Sequence, residues 1–238
     1  MEKVSLTYFV DFVMKSGTPK LTVVRDFKDR DKYEPFADFY KMIREAMVES
    51  HKGPLPKKAL DKFFTVVKDE KRRKVYPHII KGHKRFLGRK SVTWFQPPTG
   101  ICRIGEMDVS VNPELGLLID DVPHVIKLYF KEGRLVSNRV SAIVHLMNRA
   151  LSQAAPGSVF GLLDVRHSKL HVLKAPNPGL HALLEGEAAA FSTMYSALEG
   201  PAKPATTSAE PAEAPSNVVS IPVPFRPAEP RAQQQAGA

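Results

Sequence analysis

Residues 115–131 read LGLLIDDVPHVIKLYFK, which is two apolar runs separated by turn-forming residues. The second run, HVIKLYFK, is rich in β-branched and aromatic residues and is typical of a β-strand. The Asp120-Asp121-Val122-Pro123 step between the two runs predicts a turn, so we expect an antiparallel hairpin here. Such a hairpin places a sheet near the middle of the 238-residue chain.

The pattern around this hairpin predicts an α/β (α+β mixed) fold. Helical spacing predicts helices near 4–14, 35–50 and 56–70, and a further helix over 71–90 that is broken near Pro77 and Gly82. After residue 91 we expect three strands, a helix at 137–152, strands at 158–164 and 169–174, and a closing helix at about 178–197. The expected architecture is a mixed sheet of about five strands with flanking helices.

The composition divides the chain into three parts. Residues 1–90 are predicted to be helical, and 91–199 to form an α/β core packed with them. From 200 to 238, Pro and Ala dominate and large apolar side chains are scarce, so this tail is predicted to be disordered. Its apolar segment 218–227, VVSIPVPFRP, favours polyproline II and is a possible docking segment for a protein partner.

The positive charge is concentrated in one stretch of the chain. The formal net charge is +10, with 35 Lys and Arg against 25 Asp and Glu. Residues 51–90, the basic block, hold fourteen of those cations and only three acids, and 1–50 and 91–198 are each balanced. A local excess of this size predicts a polyanionic partner such as DNA or RNA. The candidate nucleic-acid contacts are Lys71, Arg72, Arg73, Lys74, Lys81, Lys84, Arg85, Arg89 and Lys90.

Several protein classes are excluded or disfavoured by the same sequence. A single cysteine, Cys102, excludes a disulfide scaffold or a Cys-rich zinc module. No run approaches 18 consecutive apolar residues, and the N-terminus lacks a signal-peptide pattern, so we expect a cytoplasmic protein with no membrane span. No nucleotide-binding or hydrolase motif is present, and no cofactor is predicted with certainty.

Two groups of side chains are candidates for metal chemistry. If residues 103–111 form one strand, Glu106 and Asp108 share a face and could ligate a hard cation such as Mg²⁺. On the strand after the hairpin, Lys127 lies between Val125 and Tyr129 and could neutralise charge beside a phosphate. Solvent-exposed positions at a sheet edge would explain the same pattern without chemistry.

Over about 91–175 the chain resembles the core of the restriction-endonuclease-like PD-(D/E)xK superfamily. The resemblance lies in the order of the elements: a helical segment, an acidic strand, a hairpin and a strand that carries a lysine. The resemblance implies metal-bound acids beside a lysine that together activate water. Lys127 matches the family lysine, and Asp108, with Glu106 beside it, or Glu114 would be the first acid. Glu45 would be the helix glutamate.

The sequence departs from that pattern at Val125, where the family carries Asp or Glu. Three functions therefore remain open. The chain binds nucleic acid with a catalytically silent nuclease-like core, or it is an active Mg²⁺-dependent nuclease whose missing acid has moved. Alternatively, it is an adaptor that uses the basic block and the Pro-rich tail to bind proteins.

Overall fold

A computed structural model of the chain describes residues 3–29, 38–133, 135–173 and 177–198. Within these ranges the helices are α1 (Leu6–Val13), α2 (Thr18–Lys28), α3 (Lys41–Lys52), α4 (Pro56–Thr65), α5 (Glu70–Leu87), α6 (Ser137–Leu151) and α7 (Pro178–Ala197). The strands are β1 (Val4–Ser5), β2 (Val92–Phe95), β3 (Gly100–Ile104), β4 (Met107–Val111), β5 (Leu115–Ile119), β6 (Val122–Tyr129), β7 (Val159–Asp164) and β8 (Lys169–Val172). The α/β mixed fold class is confirmed.

The larger sheet has five strands in the order β2-β5-β6-β7-β8. The β6 and β7 strands are parallel and are connected through α6, and the other pairs are antiparallel. The predicted hairpin is confirmed as β5–β6. Its turn residues Asp120 and Asp121 have φ values of 47° and 65°, the left-handed conformation that a two-residue turn requires.

A second sheet of three strands has the order β1-β4-β3. The two-residue strand β1 pairs in parallel with β4, with Val4 opposite Val109. This sheet corrects one prediction, because residues 103–111 do not form a single strand. Gly105, with a φ of 54°, and Glu106 form the turn of a β3–β4 hairpin. Glu106 therefore does not share a strand face with Asp108.

The five-stranded sheet separates two apolar layers because alternate side chains point to opposite faces. On one face, Ile126 and Leu163 pack with α3, α4 and α5. On the other face, Val125 and Leu162 pack with α1, α2, α6, α7 and the smaller sheet. Lys127 shares the face of Val125, two residues further along β6.

The α5 helix corrects a second prediction, because it continues through Pro77 and Gly82 without a break. Pro77 is exposed, and Gly82 is buried against the β7–β8 turn. A Cβ at Gly82 would lie 2.0 Å from the Val165 carbonyl oxygen, and the Ser168 hydroxyl donates to the Gly82 carbonyl at 2.8 Å. Gly82 is therefore a close-packing position and not a helix break.

The remaining predictions have mixed outcomes. The helices at 137–152 and 178–197 and the strands at 158–164 and 169–174 are confirmed within two residues. Three strands were predicted between 91 and 131, and the structure has five. The tail at 200–238 lies outside the described residues, and the domain boundary near residue 90 stays a prediction. Over the described residues, no helix combines the length and apolarity that crossing a membrane requires.

Candidate functional site

Lys127 and Glu114 form an ion pair at the start of the β5–β6 hairpin. The Lys127 Nζ lies 2.6 Å from Glu114 Oε1, and only 14% and 11% of the two side chains is exposed. The same ammonium donates to the Asn112 carbonyl oxygen at 2.8 Å. Glu114 Oε2 accepts the Leu128 backbone N–H at 2.8 Å. Both carboxylate oxygens of Glu114 therefore accept hydrogen bonds from groups of the same chain.

This ion pair lies in a cleft of about 960 Å³ between the start of α1, the α3 helix and the hairpin. The cleft is lined by the carboxylates of Asp11, Asp38, Glu45, Glu49 and Glu114 and by the cations Arg44, Lys52 and Lys127. Glu45, the predicted helix glutamate, therefore shares a cleft with Glu114 and Lys127. Asp38 is held by Arg44 at 2.6 Å, and Glu49 by Lys52 at 2.7 Å.

The other two predicted metal ligands lie elsewhere. Asp108 pairs with Arg103 across β3 and β4, with Arg103 Nη1 3.1 Å from Asp108 Oδ1. Glu106 is exposed in the hairpin turn and lines a small cavity beside α7. Neither residue lines the cleft that holds Lys127. Across the described part of the chain, no three His, Cys, Asp or Glu side chains are grouped so that they could hold a metal ion.

Val125 occupies the position where the PD-(D/E)xK pattern has an acid. Its side chain is fully buried in the apolar layer beneath α6 and α7. A carboxylate there would be desolvated, so the surroundings of this position suit a valine.

Part of the basic block forms one exposed face of α5, which we name the basic stripe. Its members are Lys71, Lys74, His78, Lys81 and Arg85, spaced three or four residues apart. This spacing places side chains on one face of a helix, and at 1.5 Å per residue the stripe is about 21 Å long. Across the ranges that the structure describes, its four lysine and arginine side chains make no hydrogen bond or ion pair within the chain.

Four other predicted contact residues have partners within the protein. Arg72 Nη1 donates to Met42 Sδ at 3.2 Å, and Arg73 Nη1 donates to the Val67 carbonyl at 3.0 Å. Lys84 pairs with Asp61 of α4, and Lys90 donates to the Phe86 carbonyl. Arg89 is exposed just after α5. Of the nine predicted contact residues, the four cations of the stripe and Arg89 therefore have the greatest freedom to contact a ligand.

Three aromatic residues of the basic block, Phe63, Tyr76 and Phe86, pack in or against the core. Tyr76 is fully buried and its hydroxyl donates to the Phe39 carbonyl at 2.6 Å. Phe63 stacks on Tyr76 with ring centroids 6.2 Å apart, and Phe86 is 4% exposed. Tyr76 and Phe86 therefore offer no exposed face on which a base could stack, and Phe63 is partly buried against the same core.

A buried histidine pair beneath the basic stripe was not predicted from the sequence. His51 of α3 and His83 of α5 approach with their Nε2 atoms 2.8 Å apart. Burial lowers the pKa of His51 to about 4 and that of His83 to about 3, so both rings are neutral and one donates to the other. The signal in the sequence was the position of His83 on the apolar face of α5, with Ile79, Ile80, Phe86 and Leu87.

Comparisons of this chain with protein-family models, curated proteins and solved structures give no match. The functional argument therefore rests on the geometry of the Glu114–Lys127 cleft and of the basic stripe.

Proposed function

We propose that this protein binds nucleic acid through the basic stripe of α5, and that its nuclease-like core has no catalytic activity. The observation that carries the proposal is the set of four unpaired cations on one 21 Å face. Cations without an internal partner neutralise phosphates at little cost, because no ion pair has to be broken first.

The proposed lack of catalysis rests on the contacts of Glu114 and Lys127. A metal ion would need carboxylate oxygens that point into the cleft. Both oxygens of Glu114 are instead used by Lys127 and by the Leu128 N–H, and Val125 supplies no second acid. Lys127 is in turn neutralised by Glu114, which removes the free charge that a phosphate would need.

A charge-reversal pair tests the binding site. We expect Lys74→Glu/Lys81→Glu to weaken binding to labelled nucleic acid by about a hundredfold at low salt, because attraction becomes repulsion at two positions. The matched control is Lys3→Glu/Lys15→Glu, which changes the net charge equally at exposed residues outside the basic block. Fluorescence anisotropy with duplex DNA, single-stranded DNA and RNA, each at several salt concentrations, measures the effect.

Two results would contradict the proposal. Equal weakening in the stripe variant and in its control would show that net charge alone matters. No binding of the wild type to any of the three nucleic acids at low salt would leave an acidic protein as the partner of the stripe, as in the adaptor alternative.

The Mg²⁺-dependent nuclease is the second candidate, and the position of Glu45 favours it. Glu45 shares the cleft with Glu114 and Lys127, and within the described ranges it has no ion-pair partner. If this alternative holds, wild-type protein cleaves nucleic acid with Mg²⁺ or Mn²⁺, and Glu45→Gln and Glu114→Gln abolish cleavage. Asp108→Asn, outside the cleft, is the matched control. Absence of cleavage by the wild type with either metal would exclude this candidate.

A further inference from the structure

A second cleft, of about 860 Å³, lies at the carboxyl ends of the parallel strands β6 and β7. Its walls are the β7–β8 turn, the strand β8 and the first two turns of α6. Crevices at the carboxyl ends of parallel strands are the common ligand sites of α/β sheets. The Glu114–Lys127 cleft and the basic stripe share no residue with it.

The best-defined feature of this cleft is a histidine fixed by a buried carboxylate. Asp164, the last residue of β7, is 3% exposed. Its Oδ2 lies 2.8 Å from His167 Nδ1, and its Oδ1 accepts the His167 backbone N–H at 3.2 Å. A carboxylate only accepts hydrogen bonds, so Nδ1 carries the proton and Nε2 is the free ring nitrogen. The His167 side chain is 57% exposed, which leaves Nε2 accessible to a ligand.

The strand β8 adds two more nitrogen-bearing side chains to the same cleft. Lys169 lies directly opposite Asp164 in the β7–β8 ladder, and His171 lies opposite Leu162. Lys169 is exposed, and across the described ranges its ammonium has no hydrogen-bond or ion-pair partner, because His167 occupies the Asp164 carboxylate. The hydroxyls of Ser137 and Ser141 face the cleft from successive turns of α6.

The charges of the cleft select an anion over a metal ion. The unpaired Lys169 ammonium repels a cation, and in the described residues no group of three potential metal ligands occurs here. The remaining acid, Glu132, is at the rim, where its side chain is 89% exposed and 4.0 Å from Arg166. The Lys169 ammonium and the two serine hydroxyls donate hydrogen bonds to phosphate oxygens, and the free imidazole nitrogen of His167 can accept one from a P–OH group.

We propose that this cleft binds a phosphate group, with Lys169 as its charged donor and His167 Nε2 as a second hydrogen-bonding partner. Asp164 is a positioning residue, because its hydrogen bond to Nδ1 fixes the orientation of the ring and directs Nε2 to the ligand. The hydroxyls of Ser137 and Ser141 complete the donor set. This site is independent of the nucleic-acid binding proposed for the basic stripe.

Titration of the full chain with inorganic phosphate, followed by the NMR signals of the histidine rings, tests the proposal. At constant ionic strength against chloride, we expect saturable shifts of the His167 and His171 ring signals. Lys169→Gln is expected to weaken phosphate binding by about tenfold, since a charge-assisted hydrogen bond is lost. Lys15→Gln, an exposed lysine elsewhere, should bind as the wild type does.

Further variants keep the result unambiguous. His167→Gln retains the fold because the ring is largely exposed, and its loss of affinity is read from the His171 signal. Lys74→Glu/Lys81→Glu should leave the phosphate shifts at His167 unchanged, which separates this site from the basic stripe. Glycerol 3-phosphate and a 5′-phosphorylated oligonucleotide distinguish a small-molecule ligand from a nucleic-acid end. Shifts that do not saturate, or equal affinity in Lys169→Gln and the wild type, would overturn the proposal.

Discussion

Lys127 and Glu114 form an ion pair in the cleft between α1, α3 and the β5–β6 hairpin, with 2.6 Å between the ammonium nitrogen and the carboxylate oxygen. The same glutamate holds the backbone of Leu128, the residue after the lysine. The pair therefore connects the chain before β5 to the carboxyl-terminal end of β6. In this structure the ion pair stabilises the β5–β6 hairpin.

Removal of one member of this pair is expected to destabilise the protein. Glu114→Gln leaves a nearly buried ammonium without its counter-charge, and we expect a loss of about 3 kcal/mol in the free energy of unfolding. The double variant Glu114→Gln/Lys127→Met should recover part of that loss, because no unpaired charge remains. Urea denaturation of the three proteins measures the effect. Equal stability of the wild type and Glu114→Gln would show that the pair contributes nothing to the fold.

The His51–His83 pair predicts how stability depends on pH. In the unfolded chain a histidine has a pKa near 6.5, and burial lowers the folded values to about 4 and about 3. Below pH 6.5 the unfolded state therefore binds more protons than the folded state. Stability that is complete above pH 6.5 is lost as the pH falls towards 4, by about 1.4 kcal/mol per pH unit for each ring.

Denaturant unfolding between pH 7.5 and 4.5 measures this loss. The double variant His51→Leu/His83→Met removes both buried rings, so its stability should fall less steeply with pH than that of the wild type. His78→Gln, at an exposed position on the same helix, is the matched control and should keep the wild-type slope. Parallel curves for the wild type and the double variant would contradict the assignment to this pair.

Substitution by alanine is expected to have opposite effects on stability at Gly82 and at Gly186. A methyl group at Gly82 would lie 2.0 Å from the Val165 carbonyl oxygen, so Gly82→Ala should destabilise the protein by about 3 kcal/mol or more. Gly186, in α7, has open space around its Cβ position, and Gly186→Ala should stabilise the protein by up to about 1 kcal/mol. Thermal unfolding midpoints compare the two. A mild effect at Gly82 would mean that α5 does not approach the β7–β8 turn closely.

The β5–β6 turn contains two aspartates in the left-handed conformation. Asp120 also has a local role, since its Oδ1 accepts the Ser91 N–H at 3.0 Å. Asp121→Gly should therefore stabilise the protein by roughly 0.5 kcal/mol, because glycine adopts this conformation without strain. Asp120→Gly gains the same relief but loses the hydrogen bond, so it should not stabilise. Comparison of the two unfolding midpoints separates these contributions.

Local sequence patterns predicted much of the fold. The hairpin at Asp120 and Asp121, the α6 and α7 helices and the β7 and β8 strands follow from periodicity and turn chemistry, which act over a few residues. The break expected at Gly82 was wrong for a reason that local pattern does not contain. Glycine is required at position 82 because the Val165 carbonyl oxygen, more than eighty residues away in the sequence, leaves no room for a Cβ atom.

The candidate site was partly predictable. Lys127 was identified as a lysine on an apolar strand, and Glu114 and Glu45 were named from the family resemblance. The structure places all three around one cleft. The grouping of Glu106 and Asp108 failed because Gly105 and Glu106 form the turn before β4, so Glu106 lies in the turn and Asp108 on the strand, which alternation alone does not show. Asp164 and His167 lie only three residues apart in the sequence. Their hydrogen bond fixes the ring because the Asp164 carboxylate is buried, and that burial is visible only in the packed structure.

The pairing of β1 with β4 has a consequence for synthesis of the chain. Val4 finds its partner, Val109, only after more than a hundred further residues have been made, and long-range contacts of this kind form slowly. Until then, the apolar face of α1, with Leu6, Phe9 and Val10, has no sheet to cover it. At the elongation rates of ribosomes this wait lasts several seconds or more. During that interval the apolar face of α1 stays exposed to solvent, and exposed apolar surface of this kind makes a folding chain prone to aggregation.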